Sequence, residues 1–281
     1  SFIEQVIKEK ASVIVCENLP ETCSEGITFV QVADTTIAMG QIAANYYGRP
    51  SQKLQLVGVT GTNGKTTIAT LLYQLFANLG YKVGLISTIA NYINGQRIET
   101  QNTTPDVLTL NELMQRMVME GVTHCFMEVS SHGVAMHRIE GLHFAGGIFT
   151  NLTQDHLDFH KTFDNYLAAK SKLFKQVSAS YQMKEGKGAV INVDDDYGQA
   201  IVDVTTAPMI TYSTDGKGTM NASELAITAK SSKFNLSYDG KNYSISTKIA
   251  GMFNVYNTLA AVGAALYEGL TMEQIVKALS T

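Results

Sequence analysis

Residues 58–67 read GVTGTNGKTT, and closely spaced glycines followed by a Lys-Thr pair can hold phosphate. Glycines at 61 and 64 permit backbone conformations closed to other residues. They can turn several N–H groups toward one anion at a helix N-terminus, where the dipole also favours negative charge. Lys65 supplies a point charge for the outer phosphates and Thr66 a hydroxyl for Mg²⁺. The strict pattern GxxxxGK[ST] is not met, because Val59 stands five residues before Gly64. That departure narrows the kind of loop. A Gly-rich turn with a surface lysine is the competing reading, and the order of the flanking segments speaks against it.

An apolar run before the loop (Leu54, Leu56, Val57, Val59) predicts a strand. The spacing of Ile68, Leu71, Leu72 and Leu75 after it predicts a helix that stops at Gly80. Further strands are predicted at 82–86, 123–129, 145–150 and 188–193, helices at 107–120 and 163–177, and a tight Asn-Gly hairpin within 91–97. This succession predicts an α/β fold built on a doubly wound, mostly parallel sheet. After Tyr212 the pattern alternates polar and apolar at 224–228, 234–238 and 243–247, which predicts a small antiparallel β appendage. Helices at 254–268 and 272–279 close the chain. Residues 1–48 mix helical and strand-like pieces and read as a partial N-terminal α/β domain, with 48–51 as a linker.

At 281 residues the chain has room for two domains and a sizeable core. A net charge of −4 without a basic block argues against a nucleic-acid or membrane surface. No stretch approaches a membrane span and no start resembles a signal peptide, so a cytoplasmic, monomeric protein is expected. Three cysteines (Cys16, Cys23, Cys125) lack metal-site spacing and are expected as reduced, mostly buried thiols. A start at Ser1 inside a helical pattern is read as the mark of a fragment.

Four stretches, GTNGKTT, the Thr-Thr-Pro at 103–105, MEVSSHGVAMHR and FTNLTQDHLDFH, together resemble the Mur ligase family. A later GMFNVYN resembles its nucleotide-binding segment. The resemblance covers about 49–270, the expected ATP-binding central domain. It implies that 1–48 is a remnant of a UDP-binding domain and that 271–281 begins a connection to an absent C-terminal domain.

It further implies an ATP site at Gly61, Thr62, Asn63, Gly64, Lys65, Thr66, Thr67 and Asn257, with Asn254 as the weaker amide candidate. Glu128, ending a buried strand beside the loop strand, is expected to hold Mg²⁺ with Thr66. Lys65, Glu128 and Lys170 are the expected catalytic residues. Lys170 matches a lysine carried as a carbamate, since a desolvated neutral amine can add CO₂ and become an anion. His156 matches a ligand of a second Mg²⁺, although imidazole is an unusual partner for that ion and Asp155 is an alternative. Asn151 and His160 are supporting candidates. Asn102, Thr103, Thr104, Ser130 and Arg138 match positions that contact the substrate, where hydroxyls and a guanidinium fork suit an anion. Met136 departs from a family Gln. His132 and His137 read more readily as structural than as catalytic.

The implied activity is ATP-dependent addition of a diamino acid, meso-diaminopimelate or L-lysine, to the D-Glu of UDP-MurNAc-L-Ala-D-Glu in peptidoglycan synthesis. The alternatives are a sibling Mur ligase, a folylpolyglutamate synthetase-like ligase, a P-loop NTPase without ligase activity, and a module that binds without turnover.

Overall fold

The computed structural model describes residues 2–153, 163–183 and 186–280, with backbone alone for 163–166. The chain opens with α1 (Phe2–Lys8), β1 (Val13–Cys16), β2 (Thr28–Gln31) and α2 (Thr35–Tyr46). Strands β1 and β2 pair in parallel as a separate two-stranded sheet. Asp34 starts α2 because its carboxylate accepts from the N–H groups of Thr36 and Ile37 at 2.8 and 3.0 Å, a cap worth about 1 kcal/mol.

The central sheet contains β3 (Gln55–Thr60), β4 (Val83–Ile86), β5 (Asn91–Ile93), β6 (Gln96–Ile98), β7 (His124–Glu128), β8 (Gly146–Phe149), β9 (Gly188–Asn192), β10 (Met209–Ser213), β11 (Met220–Ile227), β12 (Ser232–Tyr238) and β13 (Lys241–Thr247). Its order is β13-β12-β11-β10-β9-β8-β3-β7-β4-β5-β6. Strands β4, β7, β3, β8, β9, β10 and β11 run parallel to their neighbours in that series, and the pairs at both edges are antiparallel. From β3 the chain first builds β4 and β7 on one side and then β8, β9 and β10 on the other. The point of reversal lies beside β3, and ligands of open α/β sheets bind at such a crevice.

Helices cover both faces, which is why β7 is buried at every residue and reads as an apolar run rather than an alternation. On one face, α3 (Lys65–Asn78), α8 (Met252–Tyr267) and α9 (Met272–Leu279) pack over Val57, Val59 and Phe126. On the other, α4 (Val107–Met119), α5 (Ser131–Ala135), α6 (Phe163–Gln182) and α7 (Gly198–Val204) surround Leu56, Cys125, Met127 and Phe149. The period of two along β3 and β7 divides the two cores. Met272, Ile275 and Leu279 put α9 into the first of them.

The expected doubly wound sheet and the Asn94-Gly95 hairpin are present, with φ of 46° and 90° at the turn. The expected antiparallel part is present in β11, β12 and β13, and β11 joins β10 in parallel, so it continues the central sheet. Two details differ from the sequence reading. The segment at 48–51, expected as a linker, is folded: Pro50–Lys53 forms a 3₁₀ turn, Pro50 and Ser51 are buried, and Ser51 Oγ accepts from His143 N at 3.1 Å. Strand β11 also starts earlier than its alternation suggests. A bulge between Ser223 and Ala226, with Glu224 at φ 52°, reverses which residues face inward. Of the thiols, Cys16 and Cys125 are buried and Cys23 is exposed.

Candidate active site

The loop after β3 owes its shape to side chains that are absent. At Gly61 (φ 151°) a Cβ would run into the Thr150 side chain, and at Gly64 (φ 93°) into the Asn257 amide. The strand ending at Phe149 then clamps the loop. Thr62 N and Asn63 N donate to Asn151 O and Oδ1, both at 2.9 Å, and Thr150 Oγ donates to Asn63 O at 2.6 Å. Thr62 and Asn63 therefore spend their N–H groups on this clamp. The donors left at the helix start belong to the first turn of α3, whose N-terminus has no side-chain cap at Gly64. An anion fits there. Lys65 folds back and donates to Gly61 O and Thr62 O at 2.9 and 2.8 Å, which sets its ammonium on the rim of the same loop. Thr67 follows inside the first turn.

Parallel pairing places Glu128 of β7 beside Val59 of β3, so the carboxylate lies at the mouth of the loop. It is 1% exposed and accepts from Thr66 Oγ (2.9 Å), Thr88 N (2.9 Å) and Thr88 Oγ (3.2 Å). Sequence reasoning did not single out Thr88; its signal would have been a hydroxyl just beyond the end of a parallel strand.

A second set of groups hangs on the backbone of Glu128. Thr104 Oγ donates to Glu128 O at 3.0 Å and lies 3.1 Å from Ser130 Oγ, while Ser130 caps α5 by accepting from Gly133 N at 3.0 Å. Arg138 Nη1 donates to Thr104 O at 2.7 Å, and Thr103 Oγ accepts from Thr88 Oγ at 3.1 Å. Four of the expected substrate residues thus form one hydrogen-bonded group with Glu128. Asn102 stands apart, exposed, in a polar depression shared with Asn91, Glu99 and Asp106. Met136 touches Arg138 through its sulfur, Nη2 to Sδ at 3.5 Å.

On the other side of the loop lies a cleft of about 230 Å³ lined by Asn63, Gly64, Asn151, Asp194, Tyr256 and Asn257, among others. Asn257 is nearly buried and donates to Asn254 Oδ1 at 2.9 Å, while Asn254 reaches back to Ala250 O at 2.7 Å. The start of α8 thereby faces the loop. Asp194 was not among the predicted site residues, although an acidic run directly after a buried strand is a readable signal. It accepts from Ser213 Oγ (2.6 Å), Thr214 N (2.7 Å) and Tyr256 OH (2.9 Å). Burial pushes its carboxyl up, and these hydrogen bonds outweigh that and hold it below the usual range. Burial prevails at Asp195, whose carboxyl is raised despite accepting from Leu152 N and Tyr197 N.

Lys170 sits on α6 and is 1% exposed, among the largest fully buried side chains. Its positive charge opposes the upward shift of Asp195, so the two are electrostatic neighbours across the second core. His156, Asp155 and His160 lie outside the described residues. His137 lies against Glu140, at 3.1 Å.

The donor chemistry fits Mg²⁺. Thr66 and Glu128 offer hard oxygens 2.9 Å apart, and this ion takes one or two carboxylates and completes its shell with waters and phosphate oxygens. Among the described residues no group of three or more His, Cys, Asp or Glu gathers as a metal cluster. The loop's uncapped helix start and glycine-only turns fit a nucleotide phosphate in the same way. No helix among the described residues is long and apolar enough to cross a membrane.

The profile of the Mur ligase middle domain matches residues 59–265. The UDP-N-acetylmuramoyl-L-alanyl-D-glutamate–2,6-diaminopimelate ligase of Bacteroides fragilis is 47% identical over 285 residues, covering 100% of this chain and 56% of that protein. The ligase of the same name from Phocaeicola vulgatus is also 47% identical, with the same coverage. A solved structure of a UDP-N-acetylmuramoyl-L-alanyl-D-glutamate–2,6-diaminopimelate ligase superposes with a TM-score of 0.87 at 27% identity, covering 99% of this chain and 56% of that one. The chain spans about half the length of the relatives it matches. With the glycine-built loop, the facing carboxylate and this match over most of its length, the chain belongs to the Mur ligase family through its middle domain.

Proposed function

We propose that this chain is the nucleotide- and acceptor-holding part of an ATP-dependent amide ligase acting in the cytoplasm. The acceptor is UDP-MurNAc-L-Ala-D-Glu, and the amine added to its D-Glu is that of a diamino acid. The names of the relatives favour 2,6-diaminopimelate over L-lysine. The observation that carries the reading is the junction at Glu128. Its carboxylate touches the loop through Thr66, and its backbone carbonyl touches the Thr104–Ser130–Arg138 group. One residue therefore links a phosphate site to an anion site, the arrangement a phosphoryl transfer between two anions requires.

In the reaction, a carboxylate oxygen of D-Glu attacks the γ-phosphorus and ADP leaves, giving an acyl phosphate. The amine then attacks the acyl carbon, phosphate leaves, and the amine proton passes to water or base. Bound Mg²⁺, held by Thr66 and Glu128, would neutralise phosphate charge. Lys65 lies where it can turn from its own loop carbonyls to the outer phosphates. Arg138 and the Thr104 and Ser130 hydroxyls hold and orient the acceptor against charge repulsion from the nucleotide. Asn257 and the ring of Phe253, 81% exposed, line the cleft, and their proposed role is to meet the base and ribose. Lys170, as a carbamate, and His156 are proposed to serve a second Mg²⁺.

The test uses the full-length protein. ATP-dependent phosphate release should require UDP-MurNAc-L-Ala-D-Glu, and product should form with meso-diaminopimelate in preference to L-lysine. Phosphate release at the same rate without the muramoyl dipeptide would leave an NTPase and overturn the ligase reading.

A further inference from the structure

Arg138 is delivered by a turn in an unfavourable conformation. His137, immediately before it, has φ 56°, left-handed backbone that a side chain with a Cβ resists. Something must hold that turn, and the structure shows what does. Glu140 accepts from Lys172 of α6, and His137 Nδ1 lies 3.1 Å from the same carboxylate oxygen. One helical turn further along α6, Gln176 Nε2 donates to Ile139 O at 3.3 Å, so residues four apart on one helix face grip the turn together. Burial pushes the Glu140 carboxyl up, and the hydrogen bonds from Lys172 and His137 outweigh it and keep it ionised.

The third side of the turn is closed by α2. A Cβ on Gly40 would meet the Glu140 side chain at 2.5 Å and its carbonyl oxygen at 2.8 Å, and one on Gly141 would meet Gly40 O at 2.6 Å. Glu140 is thus the meeting point of the N-terminal segment, the Arg138 turn and the helix that carries Lys170. Lys172 and Lys170 lie two residues apart and point to different sides of α6.

We propose that Glu140, paired with Lys172, is the positioning residue for Arg138, setting the guanidinium against Thr104 where an acceptor anion is bound. The proposal rests on the acceptor site described above. It predicts a split in the kinetics that a general structural role does not produce.

In the full-length protein, Glu140→Gln should raise the KM for UDP-MurNAc-L-Ala-D-Glu about tenfold, the loss of one charge-assisted contact, and leave the KM for ATP within about twofold. Lys172→Met, at a half-exposed position that does not threaten folding, should do the same, and Lys172→Arg should restore the parent value. The double variant should be no worse than either single one, because both remove one interaction. Arg138→Ala is the control for the site itself and should raise the acceptor KM further. If Arg138→Ala raises it while Glu140→Gln and Lys172→Met do not, the positioning role is overturned and the acceptor site stands. If Arg138→Ala leaves it unchanged, both fall. Parallel loss of every kinetic constant in Glu140→Gln and Lys172→Met would also overturn the proposal.

Discussion

Glu128 and Glu268 are carboxylates buried at opposite ends of the same sheet, and they are satisfied in opposite ways. Glu128, at the C-terminal ends of the strands, accepts from Thr66, from Thr88 N and from Thr88 Oγ; every donor is neutral, and among the described residues no ion pair reaches it. Glu268 follows α8 at the N-terminal ends. Lys187 Nζ lies 2.7 Å from it, so its countercharge comes from the chain itself, and the His124 imidazole, held neutral by burial, lies 3.6 Å away. Burial raises the Glu268 carboxyl and Lys187 pulls it back. A buried carboxylate that keeps only neutral donors still calls for a cation, while one matched by its own lysine is complete. The first marks a ligand site and the second marks structure.

The strongest way to break that contrast is to remove the charges at the upper end. Glu128→Gln keeps the shape and some hydrogen bonds but loses the charge, and Lys65→Ala removes the cation from the loop. Each should lower kcat/KM about 10²–10³-fold or more in the full-length protein, with thermal midpoints within a few degrees of the parent. A Glu128→Gln enzyme that unfolds easily yet keeps its turnover would reverse the assignment.

At the lower end turnover should hold. Glu268→Gln removes a charge whose burial the fold resists and leaves Lys187 one-third exposed to water, so stability, read from urea unfolding, should change by about 1 kcal/mol or less, while kcat changes less than about twofold. A loss of turnover without a loss of stability would mean that this cluster belongs to the site.

How far each end was legible follows from what it is made of. The loop is backbone chemistry, so two glycines and the Lys-Thr pair announce it within ten residues, and Glu128 follows from its place at a strand end. Glu268 carried no signal, because its partners stand at positions 124 and 187 and only the sheet order brings them together. Asp194 is hidden in the same way: Ser213, Thr214 and Tyr256 come from β10, the loop after it and α8. Thr62 and Asn63 were legible as loop residues, but their engagement by Asn151 was not. Bulges also defeat pattern reading, as Glu224 does within β11.

Acid offers a gentler probe of the lower cluster. Burial, with Lys187 adding to it, pushes the His124 imidazole down to about 4 from an ordinary 6.5. The unfolded chain therefore binds this proton first, and the stability it represents is complete above pH 6.5 and is lost as pH falls toward 4. Glu268, raised, acts in the opposite sense, favouring the fold at low pH and giving that up as pH rises. His124→Gln should flatten the acid limb of stability between pH 6.5 and 4, measured as urea midpoints, without moving the pH profile of kcat. An unchanged slope would show that the imidazole is not held neutral by its packing against Phe76 and Phe126.

Asp194 is the case that sharpens the rule, since it too keeps only neutral donors but borders the open cleft rather than lying fully inside. Its four hydrogen bonds join β9, β10 and α8, and α8 carries Asn257 to the loop. Removing one of them by Tyr256→Phe should cost about 1 kcal/mol of stability and raise the KM for ATP severalfold, a small effect shared between folding and binding. If Tyr256→Phe raises that KM with no change in stability, Asp194 stands with Glu128 as part of the ligand site. If stability alone falls, neutral donors do not suffice to mark a ligand site, and the added criterion is the one Glu128 meets: a donor supplied by the phosphate loop itself.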